Sequence, residues 1–216
     1  MLVPHANLSL RRVPDGVSDA SALFAGDVMG TGYHAVVAAG IKPGDSVAVV
    51  GLGPVGLCAV MAARVAGAAH VVAVDPVEER GRTAEALGAT YAAEDARSVV
   101  KGLTEGRGVD VAVDAVGHPD ALDTAIRLAR KGGTVSVVGV YAERQQVHMG
   151  LVWIKNLTLV SGHANVIAHL DPVLALMQSG RIDIGPLVSR EMPLTEAADA
   201  YRAYAERSAL KIVLRP

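Results

Sequence analysis

Sulfur, net charge and unbroken apolar stretches are all scarce in this chain. Of its 216 residues one is cysteine. A lone Cys58 excludes an intramolecular disulfide and a Cys-based zinc cluster. It points to a reducing, cytosolic compartment. Lys and Arg number 20 against 22 Asp and Glu, a net charge of −2. Non-specific nucleic-acid binding draws on an excess of cations to neutralise phosphates, so that role is excluded. The uncharged run over residues 47–63 falls short of the roughly 20 apolar residues of a membrane helix. It is also broken by Gly51, Gly53, Pro54 and Gly56. The opening Met1-Leu-Val-Pro-His-Ala has no apolar core of the secretory-signal kind. No membrane partner is expected.

What remains is ample for a buried core. At about 150 residues per domain, the length suggests one domain, or one with an appendage. From residue 46 short Val-rich runs alternate with Ala-rich helical segments. The runs Ser46–Val50, His70–Val74, Val109–Ala115 and Thr134–Val140 are mainly apolar without strict alternation, which suits strands covered on both faces. Between them, Val55–Ala66, Val77–Leu87, Ala96–Thr104 and Ala121–Arg130 are long enough for crossover helices. Gly67, Gly88 and Gly132 stand where helix C-caps belong. The alternation predicts an α/β fold, a Rossmann-type doubly wound parallel sheet. Outside it, helices are expected at 19–25 (N-cap Ser18), 28–39 (Asp27 before it, Gly40 after), Val166–Ser179 closed by Gly180, and Thr195–Glu206 with Thr195 as N-cap. Leu157–Ser161 and Lys211–Leu214 read as strands.

The strongest chemical signal is Gly51-Leu-Gly53-Pro-Val-Gly56, a G-x-G-x-x-G between a predicted strand and a predicted helix. Gly51 permits the tight turn, Gly53 lets a pyrophosphate approach the backbone, and Gly56 lets helix pack on strand. The helix N-terminus offers free N–H groups to phosphates. Pro54 fits its first turn, where a missing N–H costs little. Alone, the motif could be any Gly-rich strand–helix turn. Yet the next strand ends in Asp75, about twenty residues on, where an acidic residue takes the hydroxyls of an adenosine ribose. A 2′-phosphate beside that carboxylate would be repelled by roughly 3 kcal/mol at about 5 Å and an effective dielectric near 20. NAD is therefore expected over NADP. Arg80, close enough to reach the adenosine side, could soften the discrimination.

With these residues in place the chain resembles the cofactor-binding half of the medium-chain, zinc-type alcohol dehydrogenases. The resemblance is carried by Gly30-Thr31-Gly32-Tyr33, Lys42-Pro43-Gly44-Asp45, the glycine turn, Leu87-Gly88-Ala89-Thr90, Gly108-Val109-Asp110, Asp114-Ala115-Val116-Gly117, Lys131-Gly132-Gly133 and Val138-Gly139-Val140. Together they run along nearly the whole chain. The resemblance implies that Thr31 contacts the nicotinamide carboxamide region and that Val55 packs under the ring. Val116-Gly117 and Val138-Gly139-Val140 would offer backbone groups to the nicotinamide side, or serve only as sheet core. Lys211 would lie near the pyrophosphate, or be a solvated lysine on a terminal strand.

Asp27 stands four residues before Thr31, where the family carries the third protein ligand of its catalytic zinc. Many members have Cys there. A subset similar to glutathione-independent formaldehyde dehydrogenases has Asp, an acceptable zinc ligand. The alternative role for Asp27 is a helix N-cap. The family's catalytic domain, which supplies a Cys and a His to that zinc, has no counterpart in these residues. Cys58 lies inside the cofactor helix and reads as a small buried hydrophobe. The expectation is a fragment of a longer enzyme, or a shortened chain that keeps cofactor binding without the chemistry.

The division expected is residues 1–40 as a remnant of the catalytic domain, 41–165 as the NAD-binding domain, and 166–216 as its completion and link. The function implied is the NAD-binding portion of an alcohol or aldehyde dehydrogenase. In the complete enzyme zinc would act as a Lewis acid on the alcohol oxygen, and hydride would pass to nicotinamide. No catalytic residue is expected in this chain, which alone should be inactive, with zinc bound only if the missing domain is supplied. A non-catalytic dinucleotide-binding module and a zinc-independent quinone or enoyl reductase are the alternatives, Asp27 weighing against the second. Finally, Leu151–Gly162 holds the only tryptophan, Trp153, in a strand-favouring run. The family places this region at a subunit interface, so a homo-oligomer is expected, unless the 166–179 helix covers the edge.

Overall fold

The computed structural model describes residues 2–216. Met1, where the sequence-based reading of the chain's start begins, lies outside them. The chain opens with α1 (Ala6–Ser9), α2 (Asp19–Ala25) and α3 (Val28–Ala39). Ser18 caps α2 by accepting from the Ser21 N–H at 3.1 Å. Gly40 ends α3 in the left-handed conformation, with φ of 67°.

The alternating part follows as β1 (Ser46–Val50), α4 (Pro54–Val65), β2 (His70–Val74), α5 (Glu78–Ala86), β3 (Thr90–Ala92), α6 (Ala96–Leu103), β4 (Val109–Asp114), α7 (Pro119–Leu128) and β5 (Ala129–Val137). Then come α8 (Met149–Ile154), β6 (Thr158–Ser161), α9 (Val166–Gln178), β7 (Val188–Pro193), α10 (Ala197–Ala205) and β8 (Lys211–Arg215). Six strands form one parallel sheet in the order β3-β2-β1-β4-β5-β6. The order reverses between β1 and β4, the switch point at which such sheets leave a crevice beyond their strand ends. Strands β7 and β8 pair separately, also in parallel.

Side chains alternate between two apolar layers. Val47 and Val49 of β1 pack on the side of α3, α4 and α9, while Ala48 and Val50 pack on the side of α6 and α7. Both faces are covered, which is why the strands read as unbroken apolar runs. Helix α4 is buried almost throughout because α3 lies across it. A side chain on Gly32 would come within 2.6 Å of Cys58 and Ala59, so the glycine sets that approach. Cys58 is fully buried, as its reading as a small hydrophobe requires. His34 of α3 and His169 of α9 join those helices through a 3.0 Å hydrogen bond. Every buried side-chain nitrogen and oxygen among the described residues has a partner.

At the N-terminal end of the sheet, Asp110 accepts from the Ser46 N–H (2.8 Å), the Ser46 hydroxyl (2.7 Å) and Arg130 Nε (2.6 Å). Partial burial raises its pKa. The Ser46 bonds and the Arg130 charge outweigh burial and hold it at about 2.

Several elements differ from the sequence reading. Strand β5 starts at Ala129, five residues earlier than Thr134, and ends at Val137, so Val138–Val140 form a turn beyond the sheet. Gly132 is therefore no helix C-cap; it lies within β5, its N–H donating to Lys155 O at 2.7 Å. Helix α7 is closed instead by Lys155, whose Nζ donates to the carbonyls of Ile126, Arg127 and Ala129 at 2.7–2.9 Å. Trp153 sits on a helix, α8, rather than in a strand, because His148 Nδ1 accepts from the Leu151 N–H and caps it. Thr195 is not an N-cap; it lies in a 3-10 turn, Leu194–Glu196, and α10 begins only at Ala197. Strands β3 and β7 were not anticipated: β3 has three residues, and β7 exists through its pairing with β8.

Candidate dinucleotide cleft and metal position

The C-terminal ends of β1, β2, β4 and β5 open onto two cavities. Between them passes the turn from β1 to α4. Gly51 takes a φ of +90°, which only glycine adopts without strain, and its N–H donates to Val74 O at 2.8 Å. A side chain on Gly56 would run into the Gly51 carbonyl. Gly53 differs from both. A Cβ there meets no heavy atom within 4 Å, and it occupies the N-cap of α4 without supplying a side-chain acceptor. The first turn of this twelve-residue helix, which begins at Pro54 with no N–H of its own, thus starts beside a residue with no side chain.

One cavity, of about 600 Å³, is lined by Gly51, Gly53, Pro54, Asp75, Arg80 and Val116. Asp75 is only 5% exposed. Its Oδ2 accepts from the Leu52 N–H and its Oδ1 from the Val77 N–H, each at 2.8 Å. Arg80 Nη1 lies 3.5 Å from Oδ2. The carboxylate is thereby fixed to the glycine turn, and each oxygen keeps a further lone pair toward the cavity.

The second cavity, of about 970 Å³, is lined by Asp27, Thr31, Val55 and Val138–Val140, and on its far wall by residues 161–167. Asp27 is exposed and occupies the N-cap position of α3. It holds that position without a capping bond from its carboxylate. Its backbone is engaged instead: the N–H donates to the Phe24 carbonyl at 3.3 Å, and the carbonyl accepts from the Thr31 N–H at 2.8 Å and the Thr31 hydroxyl at 2.9 Å.

Lys211, partly buried at the start of β8, lines a smaller cavity of about 250 Å³ with Asp27, not the cavity of Gly53. Burial pushes the Cys58 thiol well above its usual range, with Lys211 opposing the rise and Asp27 adding to it. The sequence reading missed Tyr204 and Arg207, which also line the cavity of Gly53 and Asp75. They stand more than a hundred residues from the glycine turn, and no local pattern connects them to it. Asp114 and Tyr141, treated below, were missed as ligands of the turns. An acidic residue ending the apolar run Val109–Ala115 was the signal available for Asp114.

A metal fits less well. Among the described residues no group of three or more His, Cys, Asp or Glu is placed to hold an ion. Asp27 offers one carboxylate, and one ligand does not make a zinc site.

A doubly wound parallel sheet with a glycine turn at its switch point is the arrangement of a Rossmann-type domain. Residues 54–179, more than half of the chain, match the family model described as zinc-binding dehydrogenase, and the chain belongs to that family as the cofactor-binding half of the medium-chain zinc-type alcohol dehydrogenases. The whole chain is 38% identical to 57% of "Probable zinc-binding alcohol dehydrogenase Rv1895" of Mycobacterium tuberculosis. It is 34% identical to 62% of an alcohol dehydrogenase of Cupriavidus necator. Among solved structures, alcohol dehydrogenase TADH from Thermus sp. ATN1 superposes on 99% of the chain with a TM-score of 0.93, at 39% identity and over 63% of its own length. A zinc-binding dehydrogenase candidate from Sinorhizobium meliloti 1021, bound to NADP, superposes on 94% with a TM-score of 0.83, at 29% identity and over 61% of its length. The chain thus spans about three fifths of the relatives it matches. No helix among the described residues is long and apolar enough to cross a membrane.

Proposed function

We propose that this chain binds NAD as the cofactor-holding part of an alcohol or aldehyde dehydrogenase. The observation that carries the proposal is the open space at Gly53, at the start of α4, which lines one cavity while Val55, two residues on, lines the other. The pyrophosphate would lie on that terminus. The adenosine ribose would face Asp75 and Arg80, and the nicotinamide would extend past Val55 toward Thr31, Val116-Gly117 and Val138–Val140. The bound cofactor supplies hydride-transfer chemistry. The protein's part is to orient the ring and to exclude water with Val55, Val138 and Val140.

The residues present do not fit a metal centre, so no step is routed through one. Asp27 could complete a zinc site only with ligands from elsewhere. The partition into 1–40, 41–165 and 166–216 is retained as a functional one, although α2, α3 and α9 share a core with β1 and α4. A cytosolic setting is supported by the unpaired Cys58.

Titration calorimetry with NADH and NADPH tests the proposal. NADH should bind at least about tenfold more tightly, as 1.4 kcal/mol of the repulsion by Asp75 requires. Failure of both cofactors to bind would refute it.

A homo-oligomer is the expected assembly. Strand β6 ends the sheet, and Met149, Trp153 and Ile154 beside it are 59%, 82% and 66% exposed. Leu157 packs inward on the core, so Leu159, 40% exposed on the edge strand, is the position to charge. Light scattering should give a dimer or larger for the wild type and a monomer for Leu159→Lys, with NADH binding retained.

A further inference from the structure

Asp114 is fully buried at the end of β4, beside the point where the strand order reverses. An aspartate in that position needs a complete set of donors. Its Oδ1 accepts from the Val116 N–H at 2.9 Å and the Gly117 N–H at 3.3 Å. Its Oδ2 accepts from the Tyr141 hydroxyl at 2.5 Å. Its backbone carbonyl accepts from the Val138 and Gly139 N–H groups, each at 3.0 Å. One residue therefore holds the turn after β4 and the turn after β5.

These turns touch main chain to main chain. A side chain on Gly117 would strike the Val140 backbone, and one on Gly139 would strike Gly117. Val138 packs on the core at the inner end of the outer turn, but Val140 at its tip is 85% exposed. The tie at that end is Tyr141, which reaches back to the Asp114 carboxylate and lies 3.0 Å from the His118 carbonyl. The phenol carries one proton, and the shorter contact assigns it to Asp114. Burial, then the hydrogen bond and charge of Asp114, raise the phenol pKa above its usual value. It stays a donor at neutral and mildly alkaline pH.

We infer that Asp114 and Tyr141 form a positioning latch whose outer end, the Tyr141 hydroxyl, sets the nicotinamide side of the cleft. The inference rests on the dinucleotide reading above. Val138, Gly139 and Val140 line the cavity assigned to the nicotinamide, whereas Asp75, Arg80 and Gly53 line the other, together with Val116, which the inner end of the latch holds. Loosening the latch at Tyr141 alone should therefore act on the nicotinamide half of the ligand.

The test compares NADH with ADP-ribose, which lacks the nicotinamide ring, on the 216-residue chain and on Tyr141→Phe. The variant keeps the ring and removes only the hydroxyl, and its thermal unfolding midpoint checks that it folds. Tyr141→Phe should bind ADP-ribose within twofold of wild type and NADH about tenfold more weakly, the worth of one charge-assisted hydrogen bond. The change in NADH fluorescence on binding should shrink with it. Asp114→Asn, which keeps the shape but places an amide against the donors of both turns, should weaken NADH and ADP-ribose alike. Equal loss for both ligands in Tyr141→Phe would mark a merely structural role and overturn the inference. So would unchanged NADH affinity, or a wild type that binds the two ligands equally. A wild type that binds neither would refute the dinucleotide reading, and the latch with it.

Discussion

Asp75 and Asp27 stand at opposite ends of one cleft and differ in almost every physical respect. Asp75 is buried, holds two backbone N–H groups at 2.8 Å and has an arginine beside it. Asp27 is exposed, and its carboxylate makes no capping bond. The first is preorganised by the chain that carries it. The second is a single donor facing a large cavity, and its chemistry depends on what else is brought to it. On the proposed reading, dinucleotide binding and substrate turnover are separable, and the difference can be attacked from either end.

The largest effect should come from filling the gap between the two ends. Gly53→Val places its side chain where no atom now lies within 4 Å. Gly53 has an ordinary φ of −67°, so the backbone is not strained by the change. Valine is a poorer N-cap than glycine, and the unfolding midpoint should fall by a few degrees at most. NADH affinity should drop at least about 100-fold, or about 2.7 kcal/mol, as calorimetry would measure. An unaltered affinity would show that no pyrophosphate passes this point.

Next in size is a control far from the cleft. Asp110 pins the N-terminal ends of β1 and β4, and its pKa is lowered from 3.8 to about 2. A carboxylate depressed on folding stabilises the native state fully above its unfolded pKa. That stability is lost as pH falls through the folded one. The contribution should be about 2 kcal/mol, complete above roughly pH 5 and disappearing toward pH 2. Asp110→Asn should flatten this part of the urea-denaturation profile between pH 5 and 2 while leaving the NADH to NADPH ratio unchanged.

Asp75→Asn sharpens the comparison at the buried end. The amide keeps one oxygen acceptor but loses the charge, so only one of the Leu52 and Val77 N–H groups stays satisfied. Each orphaned donor costs about 1–3 kcal/mol. The preference for NADH over NADPH should shrink from about tenfold toward parity, because the repelled 2′-phosphate no longer meets an anion. A preference that survives would move cofactor selection to Tyr204 and Arg207.

How much of this was legible beforehand follows the range of the contacts. The strands Ser46–Val50 and His70–Val74 match their sequence-based bounds, and α4 begins at Pro54 within one residue of its own. Their apolar runs and glycine stops are local signals. The roles of Gly51 and Gly56 were readable for the same reason, since each acts on residues within the turn. The structure-only features are those made by distant partners. Lys155 closes a helix that ends 27 residues earlier, at Leu128. Arg207 reaches the cavity of Gly53 from the loop after α10, where its φ is +58°. Strand β7 is paired only because β8 lies next to it. Asp114 was quoted as part of a motif, but the tie to Tyr141 spans 27 residues and two turns.

The smallest expected effect tests the exposed end. Asp27 anchors Thr31 through its backbone carbonyl, which Asp27→Ala keeps. The carboxylate caps nothing, so its removal leaves no N–H of α3 without an acceptor it had before. The unfolding midpoint should stay within about 2 °C of wild type, in the range of a neutral surface change. NADH affinity should move less than twofold, since Thr31 and Val55 still face the cavity. Zinc measured in the purified 216-residue chain should be well below one per protein for wild type and variant alike, because a lone carboxylate holds zinc weakly. Stoichiometric zinc that vanishes in Asp27→Ala would mean that the exposed end is as complete as the buried one, and the contrast between them would collapse. Zinc that binds tightly only after a segment supplying Cys and His ligands is added in trans would locate the missing half of the site. In that case Asp27→Ala should abolish metal retention while leaving the cofactor titration where it was.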